Sequence, residues 1–279
     1  VLSTEVTSVS SPLHPVRSII VPAPTGLALD APVTVPAALD QIRELDLSGY
    51  LVFTDLNCPF CYALHERMSR WQLADRVEWR LVEHASHVLE GPFGLEQEGI
   101  LSSEVVAVHH RAPDVNLLLP QKRICSTEPN RLLVYIQRFH PDKLPAFRSV
   151  LYRALWQNGL DIGEREVLRE LLEQEGLPTT LLDHVSEEPF ELEAWQNEWE
   201  QADFDCSIPV ILQHASGRVL IGLPSEQNLI DFLLGERSLV VDSAVCHYQR
   251  KPVVIICGWI SHLWQLVQDL RQCCELIQA

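Results

Sequence analysis

The chain has 279 residues, of which 47% are apolar and 21% are charged, and its formal net charge is −17. A chain of this length and apolar content can bury a sizeable core, as one large domain or two ordinary ones. The strong negative charge and the absence of a Lys/Arg run argue against binding to nucleic acid or to an anionic membrane surface. No apolar run reaches ~18 residues, so the sequence predicts no membrane-spanning helix.

The sequence leaves two alternatives for the cellular compartment. The sequence starts at Val1 and its single methionine is Met68, so a signal peptide would already have been removed had there been one. Eight cysteines over this length are weak evidence for a secreted disulfide framework. We expect a cytoplasmic protein, with the periplasm as the alternative.

The first third of the chain alternates strand and helix patterns. Residues 1–16 are rich in Ser, Thr, Val and Pro and indicate a flexible N-terminal arm. A short strand at 16–23 and a helix at 36–45 precede an apolar run at 49–55, which is typical of a strand buried on both faces. Apolar residues then recur at helical spacing, and residues 77–84 alternate as in a strand.

Residues 100–203 have a different character, because they predict several helices and no strand. One of these helices has Asp161 three residues before Glu164, which is the spacing of a capping box. Strand patterns return at 207–214 and 217–223, and a capped helix that ends at Gly235 follows them.

The resulting element order is βαβαβ, a helical block of roughly a hundred residues, and ββα. This order indicates an α/β protein with a thioredoxin-like layout and a helical insertion. We expect residues 17–99 and 204–235 to form the thioredoxin-like domain, and residues 100–203 to form the inserted helical domain.

Residues 236–279 predict a strand–strand–helix extension. Its helix carries an apolar stripe at alternating three- and four-residue spacing, formed by Leu263, Leu266, Leu270, Cys273 and Ile277. So small a unit cannot bury that surface by itself. Three alternatives remain open: the extension docks on the rest of the chain, forms a homodimer with a second copy, or is the start of a truncated domain.

The stretch "LVFTDLNCPFCY" places Cys58 and Cys61 where the buried strand gives way to a helix. A helix N-terminus presents unpaired N–H groups and a partial positive charge, and both stabilise a thiolate. Pro59 suits the first helical position, and Cys61 follows one turn later. We therefore predict that Cys58 attacks a disulfide and Cys61 resolves the mixed disulfide. We also expect Cys58 to be the more exposed thiol, with the lower pKa.

Other interpretations of this cysteine pair are weaker. A zinc site would need a second pair of ligands, and the sequence has no other Cys-X-X-Cys. The histidine pairs His84/His87 and His109/His110 have only loose metal-like spacing, so we expect no metal site. Two inert buried cysteines remain the alternative to redox chemistry.

The phrases "DLNCPFCY", "AFRSVLYRALWQNGLDIGEREVLRELLEQEGL" and "SIPVIL…GLPSEQNLIDFL" resemble the DsbA-like thioredoxin superfamily. They are most similar to its FrnE branch, which includes glutathione-dependent 2-hydroxychromene-2-carboxylate isomerases and kappa-class glutathione transferases. The resemblance implies that Cys58 is the nucleophile and Cys61 the resolving cysteine. It also implies that Pro209 is a cis proline, which lets Ile208 offer its backbone to an extended substrate.

The resemblance has limits that bear on function. The dipeptide between the cysteines is Pro59-Phe60, whereas the periplasmic oxidants have Pro-His, so a strongly oxidising potential does not follow. Transferase and isomerase members usually carry serine at the position of Cys58, and the presence of both cysteines favours an oxidoreductase.

Two further side chains are candidates for supporting roles. Asp55 ends the buried strand and is expected either to relay a proton for Cys61 or to cap the helix or face solvent. His65 lies one turn beyond Cys61, where it either tunes the thiolates or serves as a hydrogen-bonded packing residue.

Three functions are compatible with these patterns. The first is a thiol–disulfide oxidoreductase acting on a protein or a small molecule, with no bound cofactor and with glutathione as the candidate co-substrate. The second is a glutathione-dependent transferase or isomerase. The third is a non-enzymatic module that senses redox state or binds a partner, since a fold alone does not determine function.

Overall fold

The structure, a computed structural model, describes residues 35–84, 95–187, 189–202, 204 and 207–235. In this part of the chain it contains eight α-helices and four strands. The helices are α1 (Val35–Glu44), α2 (Pro59–Arg70), α3 (Leu95–Arg111), α4 (Thr127–Phe139), α5 (Leu144–Trp156), α6 (Arg165–Gln174), α7 (Phe190–Gln201) and α8 (Glu226–Leu234). The strands are β1 (Tyr50–Thr54), β2 (Glu78–Leu81), β3 (Val210–Gln213) and β4 (Arg218–Ile221), and short 3₁₀ helices span Ala74–Arg76 and Thr179–Asp183.

The four strands form one mixed sheet in the order β2-β1-β3-β4. β1 runs parallel to β2 and antiparallel to β3, and β3 pairs antiparallel with β4. All five residues of β1 are buried, because the strand is central in the sheet and helices cover it. The continuous apolar run that predicted a doubly buried strand is thus confirmed. The arrangement is an α/β thioredoxin-like fold with a helical insertion between β2 and β3.

The described residues of the inserted segment contain helices and no strand, as predicted, and the first helix begins at Leu95. α3 and α5 pack against α2, and α7 packs against β2, so the insertion covers the same strand–helix–strand unit that carries the two cysteines. Its apolar side chains belong to the same hydrophobic cluster as those of the sheet. The predicted domain boundaries at residues 100 and 203 stay a prediction.

The predicted start of α6 is wrong, whereas the predicted ends of α8 are confirmed. The capping box at Asp161 and Glu164 is wrong: α6 begins at Arg165 with Glu164 as its N-cap, and no side chain caps it. Asp161 instead accepts a hydrogen bond from the Gly163 N–H and pairs with Lys122. The predicted ends of α8 are confirmed, because its Ser225 side chain accepts a hydrogen bond from the backbone N–H of Asn228 and Gly235 has a φ of 74°.

Three predictions fall on residues outside the described ones: the N-terminal arm, the strand at 16–23 and the extension at 236–279 with its homodimer interface. Among the helices that are described, none combines the length and apolar character needed to cross a membrane.

Candidate active site

The junction between β1 and α2 places Cys58 at the start of a helix. The Cys58 N–H donates to the carbonyl of Asp55 at 3.2 Å, which closes a turn directly after the strand. Cys58 is the N-cap of α2, with φ −113° and ψ 119°, and its carbonyl accepts from the N–H of Tyr62 at 3.1 Å. Pro59 is the first helical residue, where its missing N–H costs nothing. The predicted position of the cysteine pair is confirmed.

The burial of the two thiols differs from the expectation. Cys58 is 2% exposed and Cys61 is 0% exposed, and both are free thiols. Burial raises the pKa of the Cys58 thiol well above its ordinary value, and the nearby Cys61 and Glu104 add to this rise. The backbone N–H of Cys61 acts in the opposite direction but is outweighed. Both thiols are thus buried and Cys58 is only marginally the more exposed, whereas the expectation of a lowered Cys58 pKa is wrong, because desolvation exceeds the effect of the helix N-terminus.

Asp55 is buried, at 1% exposure, and it neither caps α2 nor faces solvent. Its carboxylate accepts from the backbone N–H of Asn57 at 3.1 Å and lies 2.9 Å from Nδ1 of His84. Burial acts to raise the pKa of Asp55, but hydrogen bonds from His84, Ser126 and Asn57 outweigh it and hold that pKa below its usual value. The site thus contains a buried carboxylate that stays ionised, three residues before Cys58.

His84 was not assigned a functional role from the sequence, where it stood out only for its spacing to His87. Its true partner precedes it by 29 residues. Because β1 and β2 are parallel neighbours, the segments that follow them meet at the same edge of the sheet, and His84 comes to lie beside Asp55. The only available signal was a polar residue close after each of two apolar strands, Asp55 directly after β1 and His84 three residues after β2.

The hydroxyl of Tyr152 on α5 also reaches this region. It lies 2.6 Å from Thr54 Oγ1 and 3.5 Å from the carbonyl oxygen of Asp55. Burial raises the pKa of Tyr152 well above its ordinary value, and the neighbouring Cys61 contributes to that rise. The inserted helices therefore supply a neutral phenol to the cysteine site. Nothing in the sequence near Tyr152 marks it, because its role depends on the packing of α5 on α2.

A second contribution of the insertion is the ion pair between Arg123 and Glu104. The Arg123 guanidinium donates to Glu104 Oε2 at 2.5 Å and to the carbonyl of Asn57 at 3.0 Å. The Arg123 side chain is almost fully buried. It thus ties the turn before Cys58 to α3 and holds the Glu104 carboxylate close enough to influence the Cys58 thiol.

His65 and Phe60, two other predicted supporting residues, pack against aromatic or charged side chains. His65 is fully buried, with its ring 4.9 Å from that of Tyr152 and 5.4 Å from that of Trp79. Burial lowers the pKa of His65 to about 4, so the imidazole is neutral, as the packing alternative predicts. The side chain of Phe60 is half-buried, and the guanidinium of Arg111 lies 6.0 Å from the centre of its ring.

The Ile208–Pro209 peptide bond is cis, as the resemblance implies. Val210 follows it directly and pairs with Phe53, so Pro209 lies at the level of Thr54, where β1 ends and the turn to Cys58 begins. Both Ile208 and Pro209 are buried. The role of these two residues in binding a substrate stays a prediction.

Over the described residues, no cluster of three or more His, Cys, Asp or Glu side chains is arranged to hold a metal ion. The chemistry that this site can perform is that of its two thiols. They are surrounded by an ionised carboxylate, an imidazole, a phenol and a buried ion pair.

Comparison with known proteins identifies the family to which the fold belongs. A family model of the DSBA-like thioredoxin domain matches residues 51–203, which is more than half of the chain. None of the curated proteins compared with this sequence gives a significant match.

Several solved structures are similar in fold. The cytosolic disulfide reductase DsbM from Pseudomonas aeruginosa is 17% identical, with a TM-score of 0.52 over 67% of this chain and 97% of its own. A Nitrosomonas europaea protein, provisionally assigned as a protein disulfide isomerase, is 15% identical, with a TM-score of 0.52 over 67% and 95%. A 2-hydroxychromene-2-carboxylate isomerase is 17% identical, with a TM-score of 0.47 over 67% and 92%.

Proposed function

Because the chain belongs to the DSBA-like thioredoxin family, we propose that it is a thiol–disulfide oxidoreductase that uses Cys58 and Cys61. The observation that carries the proposal is the pair of free thiols one turn apart at the start of α2, with the Cys61 N–H directed at the Cys58 thiol. Exchange needs one attacking thiolate and a second thiol close enough to resolve the product.

The proposed reaction has two steps. The Cys58 thiolate attacks one sulfur of the substrate disulfide, forms a mixed disulfide and releases the other substrate sulfur as a thiolate. The Cys61 thiolate then attacks the Cys58 sulfur, which forms the Cys58–Cys61 disulfide and releases the second substrate thiol. The substrate disulfide is thereby reduced by two electrons and the cysteine pair is oxidised. The reverse sequence oxidises a substrate dithiol.

We propose that Asp55 accepts the proton that Cys61 must lose in the second step. The support for this role is that the carboxylate is buried, is held ionised by its hydrogen bonds and precedes Cys58 by three residues. His84 is then a positioning residue, which holds the carboxylate oriented and charged.

We further propose glutathione as the co-substrate and the cytoplasm as the compartment. DsbM is described as a cytosolic disulfide reductase, and a second structure of it contains GSH, with a TM-score of 0.51 to this chain and 17% identity. Glutathione would return the oxidised cysteine pair to the dithiol through a mixed disulfide on Cys58.

The test is to equilibrate the full chain in buffers of reduced and oxidised glutathione, trap free thiols by alkylation, and locate the modified cysteines by mass spectrometry. We expect a Cys58–Cys61 disulfide that forms and disappears with the buffer ratio. A Cys61→Ser variant should accumulate glutathione on Cys58, and a Cys58→Ser variant should lose reductase activity towards a small disulfide.

Cys125, an exposed free cysteine among the described residues, provides the matched control, because Cys125→Ser should leave this activity unchanged. Reductase activity that survives Cys58→Ser would disprove the proposal. Glutathione-transfer activity that survives loss of Cys61 but needs Cys58 would instead support the transferase or isomerase alternative.

A further inference from the structure

Helices α4 and α7 of the insertion carry exposed aromatic side chains that the cysteine chemistry does not use. Phe139, at the end of α4, is 52% exposed, and Phe190, at the start of α7, is 76% exposed. The ring of His184, which is also exposed, lies 5.9 Å from that of Phe139. We call Phe139, His184 and Phe190 the aromatic patch. Large exposed apolar groups that lie together mark interaction sites, whereas single ones are common on any surface.

An ion pair brings the two phenylalanines close together. Arg138, the residue before Phe139, donates to both carboxylate oxygens of Glu191, the residue after Phe190, at 2.9 and 2.8 Å. This contact joins the end of α4 to the start of α7, so the two phenylalanines lie on neighbouring turns of the two helices. Because Arg138 and Glu191 use their charges on each other, we assign neither of them to a partner.

Other carboxylates near the aromatic patch are unpaired. Asp183, Glu187 and Glu193 are exposed, and none of them forms an ion pair with the residues that the structure describes. Asp183 directly precedes His184, and Glu193 follows Phe190 by three residues, which places the two on the same side of α7. The surroundings of the patch are therefore negatively charged, as is the chain as a whole. Charge complementarity favours a cationic partner.

The protein itself shows how a cation contacts the rings of this surface. The guanidinium of Arg138 lies 5.3 Å from the centre of the Tyr135 ring, and that ring stacks parallel to Phe139 with its centre 6.3 Å away. A guanidinium is flat, stacks on aromatic faces and pairs with carboxylates through two hydrogen bonds, whereas an ammonium group is a compact point charge. Exposed rings beside carboxylates thus match arginine better than lysine.

From the exposed rings and the unpaired carboxylates, we propose that the aromatic patch binds an arginine-containing, partly apolar segment of a partner polypeptide. The guanidinium groups of the segment stack on Phe139 and Phe190 and pair with the three carboxylates, and its apolar side chains cover the remaining ring surface. The interaction does not depend on thiol chemistry, so a Cys58→Ser variant should bind the segment as the unaltered protein does.

Fluorescence anisotropy with labelled peptides tests the proposal on the full chain. The probes are a short peptide of alternating arginine and leucine, the same peptide with lysine in place of arginine, and the same peptide with glutamate in place of arginine. We expect the arginine peptide to bind at least about threefold more tightly than the lysine peptide, because a guanidinium combines stacking with paired hydrogen bonds. The glutamate peptide should not bind.

Two variants remove rings and leave every charge in place. Phe190→Ser should weaken binding of the arginine peptide about three- to fivefold and reduce its advantage over the lysine peptide. Phe139→Ser should have the same effect, with the melting temperature measured alongside because Phe139 stacks on Tyr135. Leu160→Ser, at an exposed apolar residue outside the patch, is the matched control and should bind normally.

The proposal is overturned if the arginine and lysine peptides bind equally tightly. It is also overturned if Phe190→Ser, with an unchanged melting temperature, binds the arginine peptide as the unaltered protein does. A second copy of the chain is the other occupant that the test detects. A dimer of the unaltered protein that becomes a monomer in Phe190→Ser by light scattering, without binding of any peptide, would replace the proposed partner.

Discussion

His84 lies 2.9 Å, through its Nδ1 atom, from Oδ2 of the buried Asp55, which precedes Cys58 by three residues. This contact joins the segment after β2 to the turn that precedes Cys58. It keeps charged a carboxylate that burial alone would tend to neutralise. The pair therefore links the stability of the site to pH.

The first prediction concerns this pair. The lowered pKa of Asp55 means that its stabilising contribution is present above the unfolded-state pKa of about 3.9 and is lost as the pH falls through the folded-state value. His84→Ala should raise the pKa of Asp55, so the loss should begin at a higher pH. We expect the free energy of unfolding at neutral pH to fall by about 1–3 kcal/mol.

Urea denaturation as a function of pH measures both effects of His84→Ala. His109→Ala, at an exposed histidine on α3, is the control and should leave the profile unchanged. Identical acid profiles for His84→Ala and the unaltered protein would show that Asp55 does not depend on this contact.

The second prediction is the pH dependence of Cys58 alkylation. Because the pKa of its thiol is raised, the thiolate fraction is small at neutral pH and grows only at alkaline pH. The labelling of Cys58 by iodoacetamide should therefore accelerate at higher pH than that of the exposed Cys125 in the same sample. Cys61→Ser should move the Cys58 profile to lower pH, because Cys61 contributes to the raised pKa.

Mass spectrometry of the labelled peptides gives both rates in one experiment. Labelling of Cys58 that is fastest at mildly acidic pH would contradict the structure and restore the expectation from the sequence alone.

The third prediction concerns Glu104, which also raises the pKa of Cys58. Glu104→Gln removes this charge and keeps an oxygen that can accept from Arg123. Alkylation of Cys58 at neutral pH should become faster, because the loss of this charge lowers the pKa of the thiol. Glu98→Gln, at an exposed position on the same helix, is the matched control. An unchanged rate in Glu104→Gln would mean that the carboxylate does not act on the thiol.

The fourth prediction concerns His65, whose pKa in the folded protein is lowered to about 4 from 6.5. Below the unfolded-state pKa the unfolded chain binds a proton that the folded chain does not, so stability is lost as the pH falls from about 6.5 to about 4. Summed over this interval, the loss is on the order of 3 kcal/mol.

His65→Leu should flatten the acid limb of the stability profile, and His110→Leu, at an exposed histidine, should not. The same protein samples address the two interpretations of His65. A Cys58 alkylation profile that stays unchanged in His65→Leu supports the packing role, and a shifted profile supports a role in tuning the thiols.

The sequence by itself determined the features that depend on neighbouring residues. The apolar run of β1 is visible in the sequence itself, and the start of α2 at Cys58 and Pro59 and the ends of α8 at Ser225 and Gly235 depend on residues within one helical turn. The capping box at Asp161 failed although its spacing was right, because the carboxylate is engaged by Gly163 and Lys122 instead.

Only the tertiary structure decided the chemistry around the thiols. His84 is 29 residues from Asp55, Tyr152 is 98 from Thr54, and Arg123 is 66 from Asn57. No local pattern predicts such contacts. The direction of the Cys58 pKa shift follows from the same cause. The helix N-terminus that favours a thiolate is a local feature, whereas the burial that opposes it is produced by helices packed from distant parts of the chain, and here burial is the larger effect.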